Sequence, residues 1–270
     1  MEMQGIVIAT LIVGVIGLLI GAALVAAGKK FYVEVDEREA LVRECLPGNN
    51  CGGCGQAGCD AAAAAIVRGE AEVNVCPVCN EKAIREISAI MGVDSVQTVK
   101  KRAFVRCAGT CGKTSVKCNY VGIRDCRSAV LSGLPVWECD YGCLGFGSCV
   151  EACAFDAIHV KEGAAVVDPE KCTGCGRCVA VCPKNLIELI RSDAKAAVAC
   201  SSKARGPEVK KVCAAGCLGC KLCTRQCETE AIQVENNLAQ IDYDKCVGCE
   251  KCMEKCPAKA IVRPVMCQKV

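Results

Sequence analysis

The chain has 270 residues, 29 of them cysteine, with a formal net charge of +3 and aromatics at 3%. So few aromatics exclude a large conventional core and a base-stacking platform, and a near-neutral charge leaves no footprint for a polyanion. An odd number of cysteines in so long a chain argues against a secreted disulfide scaffold and for thiols that surround metal in a reducing compartment.

The first predicted element is a membrane span. Gly5 to Gly28 carries no charge, and at about 1.5 Å of rise per residue it reaches roughly 36 Å, enough for a hydrocarbon core of about 30 Å. A cleaved signal peptide is the rival, helped by Ala26 and Ala27, but the basic n-region is missing and the apolar run is too long. Lys29 and Lys30 are the basic flank, so the positive-inside rule puts the cysteine-rich body in the cytoplasm.

Next come three predicted helices, Asp36 to Glu44, Asp60 to Arg68 with Asp60 as a cap, and Glu81 to Met91, around the motif Cys51-Gly-Gly-Cys54-Gly-Gln-Ala-Gly-Cys59. Cys76-Pro-Val-Cys79 follows. Cys51, Cys54, Cys59 and Cys76 are the expected ligands of a [4Fe-4S] cluster, with Cys79 as the other choice for the fourth. The glycines at 52, 53, 55 and 58 let the backbone wrap closely and aim N–H groups at sulfur.

Val93 to Lys101 reads as a linker that ends in the basic run Lys100-Lys101-Arg102 with Arg106. That run is either a solvated segment or a contact for anionic headgroups or an acidic redox partner. Cys107, Cys111, Cys118, Cys126 and Cys139 follow; Cys107, Cys111, Cys126 and Cys139 are the set chosen for an additional cluster, against structural or redox-labile thiols.

From Cys126 onward the chain repeats itself without a gap at an offset of 74 residues, Cys126, Cys139, Cys143, Cys149, Cys153, Cys172, Cys175, Cys178 and Cys182 recurring as Cys200, Cys213, Cys217, Cys223, Cys227, Cys246, Cys249, Cys252 and Cys256. Cys172 to Pro183 and Cys246 to Pro257 both follow the C-x2-C-x2-C-x3-C-P run of bacterial two-cluster ferredoxins, in which the fourth cysteine ligates the neighbouring cluster. The second module therefore has two full sets, Cys217, Cys220, Cys223 and Cys256, and Cys246, Cys249, Cys252 and Cys227. In the first, Cys172, Cys175, Cys178 and Cys153 are complete, but the companion set is Cys143, Cys149 and Cys182 with Phe146 where the repeat has Cys220. Three readings stay open: a three-iron form, a fourth ligand borrowed from Cys139 or Cys118, or no cluster, with Phe146 filling apolar space.

Zinc is the plain alternative, since CxxC pairs also build all-cysteine zinc sites. The third cysteine two residues on and the C-P step favour iron–sulfur ligation. His159, the one histidine, stands where the repeat has Gln233 and is expected at the surface.

The order of these parts resembles a family. One span, a CGGCGxxxC site with a distant fourth cysteine, Arg106-Cys107, Tyr141-Gly-Cys143-Leu-Gly and both C-P motifs are similar to the B subunits of Rnf complexes, the membrane-bound ion-translocating ferredoxin:NAD+ oxidoreductases, in the long form with a second ferredoxin module. The resemblance covers nearly the whole chain, and its specificity lies in the order, because CxxCxxCxxxCP alone is shared by many electron carriers. It implies an electron-transfer subunit of a translocase that accepts electrons from soluble reduced ferredoxin and relays them to membrane partner subunits, other subunits holding flavins and binding NAD.

The expected fold is α+β: residues 1–30 a transmembrane anchor, 31–92 a small helical 4Fe-4S domain, 93–135 a linker with a possible extra cluster, 136–195 and 196–270 two tandem ferredoxin-like modules. Strands are expected at Ala157 to Val160 and Ala164 to Val167. The motifs supply five clusters, six with the Cys107 group. The chain has no Rossmann GxGxxG after a strand, no Walker loop and no histidine-centred nucleophile, so no catalytic residue is assigned. The alternative is a membrane-anchored polyferredoxin that serves another redox enzyme or reduces a redox-sensing regulator. A zinc protein bound to nucleic acid is disfavoured by charge and composition.

Overall fold

The computed structural model describes residues 2–30, 36–94 and 99–264. Helix α1 (Glu2–Lys30) contains the expected span. Over Leu11–Gly28 its mean hydropathy is 2.6 and none of it is buried within the chain. A helix apolar on every face with no protein around it has its solvent elsewhere. Part of the linker (95–98) and Cys267 lie outside the described residues.

Helices α2 (Glu37–Cys45), α3 (Cys59–Val67) and α4 (Glu81–Met91) form the small helical unit. Asp36 caps α2 by accepting from the Arg38 N–H at 2.9 Å, and Asn80 caps α4 by accepting from Ala83 N–H at 2.8 Å. The start of α3 differs from expectation. Asp60 lies inside its first turn, paired with Arg43 of α2 at 2.7 Å, and the Asn50 side chain accepts from the Cys59 N–H at 2.7 Å. The cysteine loop is thus tied to the helix by its own first residues. Val42, Leu46, Ala62, Ala63, Ile66 and Ile87 form a core that includes Cys59 and Cys76.

The remaining elements build two halves that repeat the same order of strands and short helices. The first holds β1 (Lys101–Val105), α5 (Cys126–Leu131), α6 (Ser148–Glu151), β2 (Ile158–Lys161), β3 (Ala164–Val167), α7 (Arg177–Val181) and β4 (Ile187–Arg191). The second holds β5 (Ala197–Val198), α8 (Gly206–Val212), α9 (Leu222–Arg225), β6 (Ile232–Glu235), β7 (Leu238–Ile241), α10 (Lys251–Glu254) and β8 (Ile261–Val262). Strands pair antiparallel as β1 with β4, β2 with β3, β5 with β8 and β6 with β7.

The duplication is visible in backbone detail. Asp156 (φ 49°) matches Glu230 (52°), Glu162 (47°) matches Asn236 (48°) and Asn185 (51°) matches Lys259 (49°). The caps Gly147 and Gly176 are left-handed, and so are their repeat partners Lys221 and Glu250. A non-glycine residue accepts that conformation at a cost of about 1–2 kcal/mol, so the loops impose it on whatever side chain is present.

The end of the expected linker is part of the first half. Arg102, in the basic run, is buried in β1, its Nη2 donating to Ala194 O at 3.4 Å. β1 and β5 are counterparts, with Val105 opposite Ile187 and Val198 opposite Ile261. Ile187 and Ile261 are 74 residues apart but Val105 and Val198 are 93 apart, so the first half carries 19 additional residues between its opening strand and Cys139. Across the junction Phe104, Ile190, Ala197 and Ala199 pack with Tyr243 and Val262, and Ala108 N–H donates to Ala199 O at 3.0 Å.

Phe104 is the largest wholly buried side chain and lies in this junction. Phe104→Ala is expected to cost about 3–5 kcal/mol, read as a lower midpoint of denaturant unfolding followed by circular dichroism.

Candidate iron–sulfur cluster sites

In the helical unit Cys59 and Cys76 are buried and Cys51 and Cys54 half-buried. Cys59 begins α3 and the others sit on loops. The hydrogen bond from Cys79 lowers the Cys76 thiol to about 6, and the same contact, with burial, raises Cys79. Cys79 N–H donates to Cys76 O at 3.3 Å, so the two thiols stand side by side at the end of one turn.

In the first half, Cys172, Cys175 and Cys153 are the neighbouring sulfurs of buried Cys178, whose thiol is pushed up to about 12 by burial and then by those neighbours. Ala103 N–H in β1 donates to Cys172 Sγ at 3.3 Å, and Ala157 N–H to Cys153 Sγ at 3.4 Å. The second half gathers Cys217, Cys220, Cys223 and Cys256 around one pocket. Cys246, Cys249 and Cys227 are neighbours of Cys252. Burial, then neighbouring sulfur, raises Cys223 and Cys252 to about 11.

The companion site of the first half has a fourth sulfur that the spacing did not reveal. Cys126 lines one pocket with Cys143, Cys149 and Cys182, and burial followed by those three neighbours raises Cys149 to about 12. Neither Cys139 nor Cys118, the two expected lenders, lines it. Asp125 caps α5 by accepting from Ser128 N–H at 2.7 Å. It also accepts from Ser148 Oγ at 2.8 Å, which in turn accepts from Cys126 N–H at 2.9 Å. Phe146 packs with Tyr120, ring centroids 5.4 Å apart, against Ala129, Val136 and Leu144. Where the repeat has a cysteine, this half has a ring that anchors the helix carrying Cys126.

The set Cys107, Cys111, Cys126 and Cys139 is not brought together. Cys126 belongs to the pocket just described. Cys111 is exposed, its N–H donating to Glu162 O at 2.9 Å. Cys107 and Cys139 line a different pocket, with Cys200 and Cys213. The gapless 74-residue frame pairs Cys126 with Cys200, whereas the strands pair Cys107 with Cys200. A signal for this was present: Ala103-Phe-Val-Arg-Cys107 echoes Ala196-Ala-Val-Ala-Cys200 once a gap is admitted. His159 is at the surface beside Asp156, as expected.

These sets fit iron–sulfur clusters. The sulfurs of Cys126, Cys143, Cys149 and Cys182, and those of Cys217, Cys220, Cys223 and Cys256, each stand around one pocket, as a many-atom cluster requires. Backbone N–H groups point at sulfur in equivalent places, Leu186 to Cys182 at 3.4 Å and Ala260 to Cys256 at 3.3 Å. Thr173 Oγ1, between Cys172 and Cys175, is buried without a partner. Every described cysteine is free of disulfide. Thiols held near 11 or 12 stay protonated at neutral pH until bound cations compensate, so loading releases protons.

The FeS family, described as an Fe-S cluster, matches residues 46–78, and Fer4, a 4Fe-4S binding domain, matches 165–188 and 239–262. The chain is 44% identical to the B subunit of the Na(+)-translocating ferredoxin:NAD(+) oxidoreductase complex of Acetobacterium woodii, over 87% of this chain and 71% of that one. It is 40% identical to the B subunit of the ion-translocating oxidoreductase complex of Methanosarcina acetivorans (85% and 88% covered). It is also 40% identical to the B subunit of the proton-translocating ferredoxin:NAD(+) oxidoreductase complex of Clostridium ljungdahlii (89% and 85%). The chain belongs to this family of Rnf complex B subunits and is an iron–sulfur electron-transfer protein.

Cys126→Ser is expected to convert one [4Fe-4S] centre to a three-iron form or lose it, seen by electron paramagnetic resonance, and Cys220→Ser is expected to do the same in the second half. Cys118→Ser is expected to leave the spectrum unchanged.

Proposed function

We propose that the protein is a cytoplasm-facing, membrane-anchored electron relay of an ion-translocating ferredoxin:NAD+ oxidoreductase, drawing electrons from reduced soluble ferredoxin and delivering them to membrane partner subunits. The observation that carries the reading is the series of four-cysteine sets along the chain. They are Cys51, Cys54, Cys59 and Cys76; Cys153, Cys172, Cys175 and Cys178; Cys126, Cys143, Cys149 and Cys182; Cys217, Cys220, Cys223 and Cys256; and Cys227, Cys246, Cys249 and Cys252. When bound, [4Fe-4S] clusters supply reversible one-electron chemistry at these sets. The protein's part is to hold four thiolates and set the potential through N–H donors.

The helical unit is positioned for continuity with the first half. A Cβ built at Gly53 would stand 2.5 Å from Cys175 O, so the two cysteine loops meet backbone to backbone where only glycine fits. The names of the relatives describe ferredoxin:NAD(+) oxidoreductases coupled to Na(+) or to protons, which supports the proposed reaction. α1, with Lys29 and Lys30 at its end, supports a single pass with the body on the cytoplasmic side.

Five four-cysteine sets predict at least roughly 20 irons per chain, at four per cluster, in anaerobically purified protein. Stoichiometric zinc with fewer than about 12 irons would sink the reading.

A reporter fused after Val270 is expected to be active only as a cytoplasmic fusion. Digestion of the body by protease added outside intact cells would overturn the topology.

A further inference from the structure

The pocket between the two halves is lined by Cys107 and Cys139 from the first and Cys200 and Cys213 from the second. These four cysteines lie outside the residues matched by the Fe-S families. They form two copies of one half-site. Cys107 follows β1 and Cys200 follows β5, each two residues beyond paired valines, Val105 and Val198. Cys139 and Cys213 are related by the 74-residue repeat, and their carbonyls accept alike, from Gly142 N–H at 3.2 Å and Gly216 N–H at 3.4 Å.

The sulfurs share one small space. A Cβ built at Gly109 would lie 3.6 Å from both Cys107 Sγ and Cys213 Sγ. Ala108, Ala199, Ala215 and Val209 contribute apolar wall. Trp137 also lines the pocket, and its Nε1 is buried with no hydrogen-bond partner, a donor suited to an anionic cluster. The half-sites share a further bond: Cys143 N–H donates to Cys107 Sγ at 3.4 Å, and Cys217 N–H donates to Cys200 Sγ at 3.2 Å. Cys143 and Cys217 belong to the companion sets of their respective halves and are equivalent in the 74-residue repeat.

We infer that Cys107, Cys139, Cys200 and Cys213 hold a [4Fe-4S] cluster that bridges the two halves and links their companion sites electronically. The inference rests on the relay reading and adds the junction. One electron is accepted as the companion site on one side is oxidised by one and given up as the site on the other side is reduced by one, with no bond made or broken. Two ligands from each half also make the metal a clamp across the junction. The set replaces the expectation that Cys107 and Cys139 share a cluster with Cys111 and Cys126.

The test is iron content and spectroscopy of the purified full chain carrying Cys107→Ser, Cys139→Ser, Cys200→Ser or Cys213→Ser singly. Each is expected to perturb the same one centre, to a three-iron form or to a loss of about four irons of roughly 24, with Cys111→Ser unchanged. Gly109→Leu, which leaves every cysteine in place and fills the gap between Cys107 and Cys213, is expected to lose that same centre. A selective loss with the other signals intact separates ligand removal from misfolding. Four substitutions that perturb different centres, zinc at this position, or a full iron complement in all four and in Gly109→Leu would overturn the inference. Cys220→Ser run beside them separates the failures: if it loses its centre while these do not, only the bridging site falls, and if it too is silent, the relay reading falls.

Discussion

The cysteine sets gather groups that repel one another once ionised, and at Cys149, Cys178, Cys223 and Cys252 burial already disfavours charge; the surrounding structure answers that problem. Burial and neighbouring sulfur together hold Cys149 and Cys178 near 12. The chain meets the charge with dipoles: N–H groups of Ala103, Ala157, Leu186 and Ala260 aimed at sulfur, and loops turned tightly enough to present them. Bound iron completes the compensation, so ligation and folding are coupled. In a chain this poor in aromatics, cysteines are also the core: Cys149 and Cys178 pack with Val105, Ile158 and Val167, and Cys217 and Cys223 with Val198, Ile232 and Ile261.

Duplication explains the economy of the body, and one insertion explains its asymmetry. The paired left-handed residues from Asp156 with Glu230 to Asn185 with Lys259 show that loop geometry survived where side chains changed. Upstream of Cys139 the first half has 19 more residues than the second, and α5 lies among them. That helix is held by the Asp125 and Ser148 hydrogen bonds and by Phe146. Where the ligand loop has Phe146 in place of a cysteine, the longer segment supplies Cys126 to the same pocket.

The junction between halves is built from the strands that begin them. β1 and β5 lie at the start of each half, and Phe104, Ala197 and Ala199 meet there with Ile190. The same strands deliver Cys107 and Cys200 to a common pocket. Packing at the junction and cysteine placement are therefore set together, and the Arg106–Glu188 pair at 3.6 Å, with Tyr243 Oη donating to Glu188 at 3.3 Å, closes one side of it.

The sequence by itself determined whatever is local. The uncharged run of α1, the helices around Cys51 to Cys76 and the C-P motifs are written in contiguous residues, because helix periodicity, caps and a ligand loop act over a few positions. Tertiary structure alone decided which distant cysteines meet. Cys126 reaches Cys143, Cys149 and Cys182 only because Phe146 and Ser148 hold α5 beside them. Cys107 reaches Cys213 because the segments that follow β1 and β5 meet at the junction, where Ala108 N–H donates to Ala199 O; the 19-residue difference in spacing hides that β1 and β5 are counterparts. Spacing specifies ligands that share a loop; for ligands brought together by strand pairing and helix docking, the separation along the chain carries no distance, and the fold supplies it.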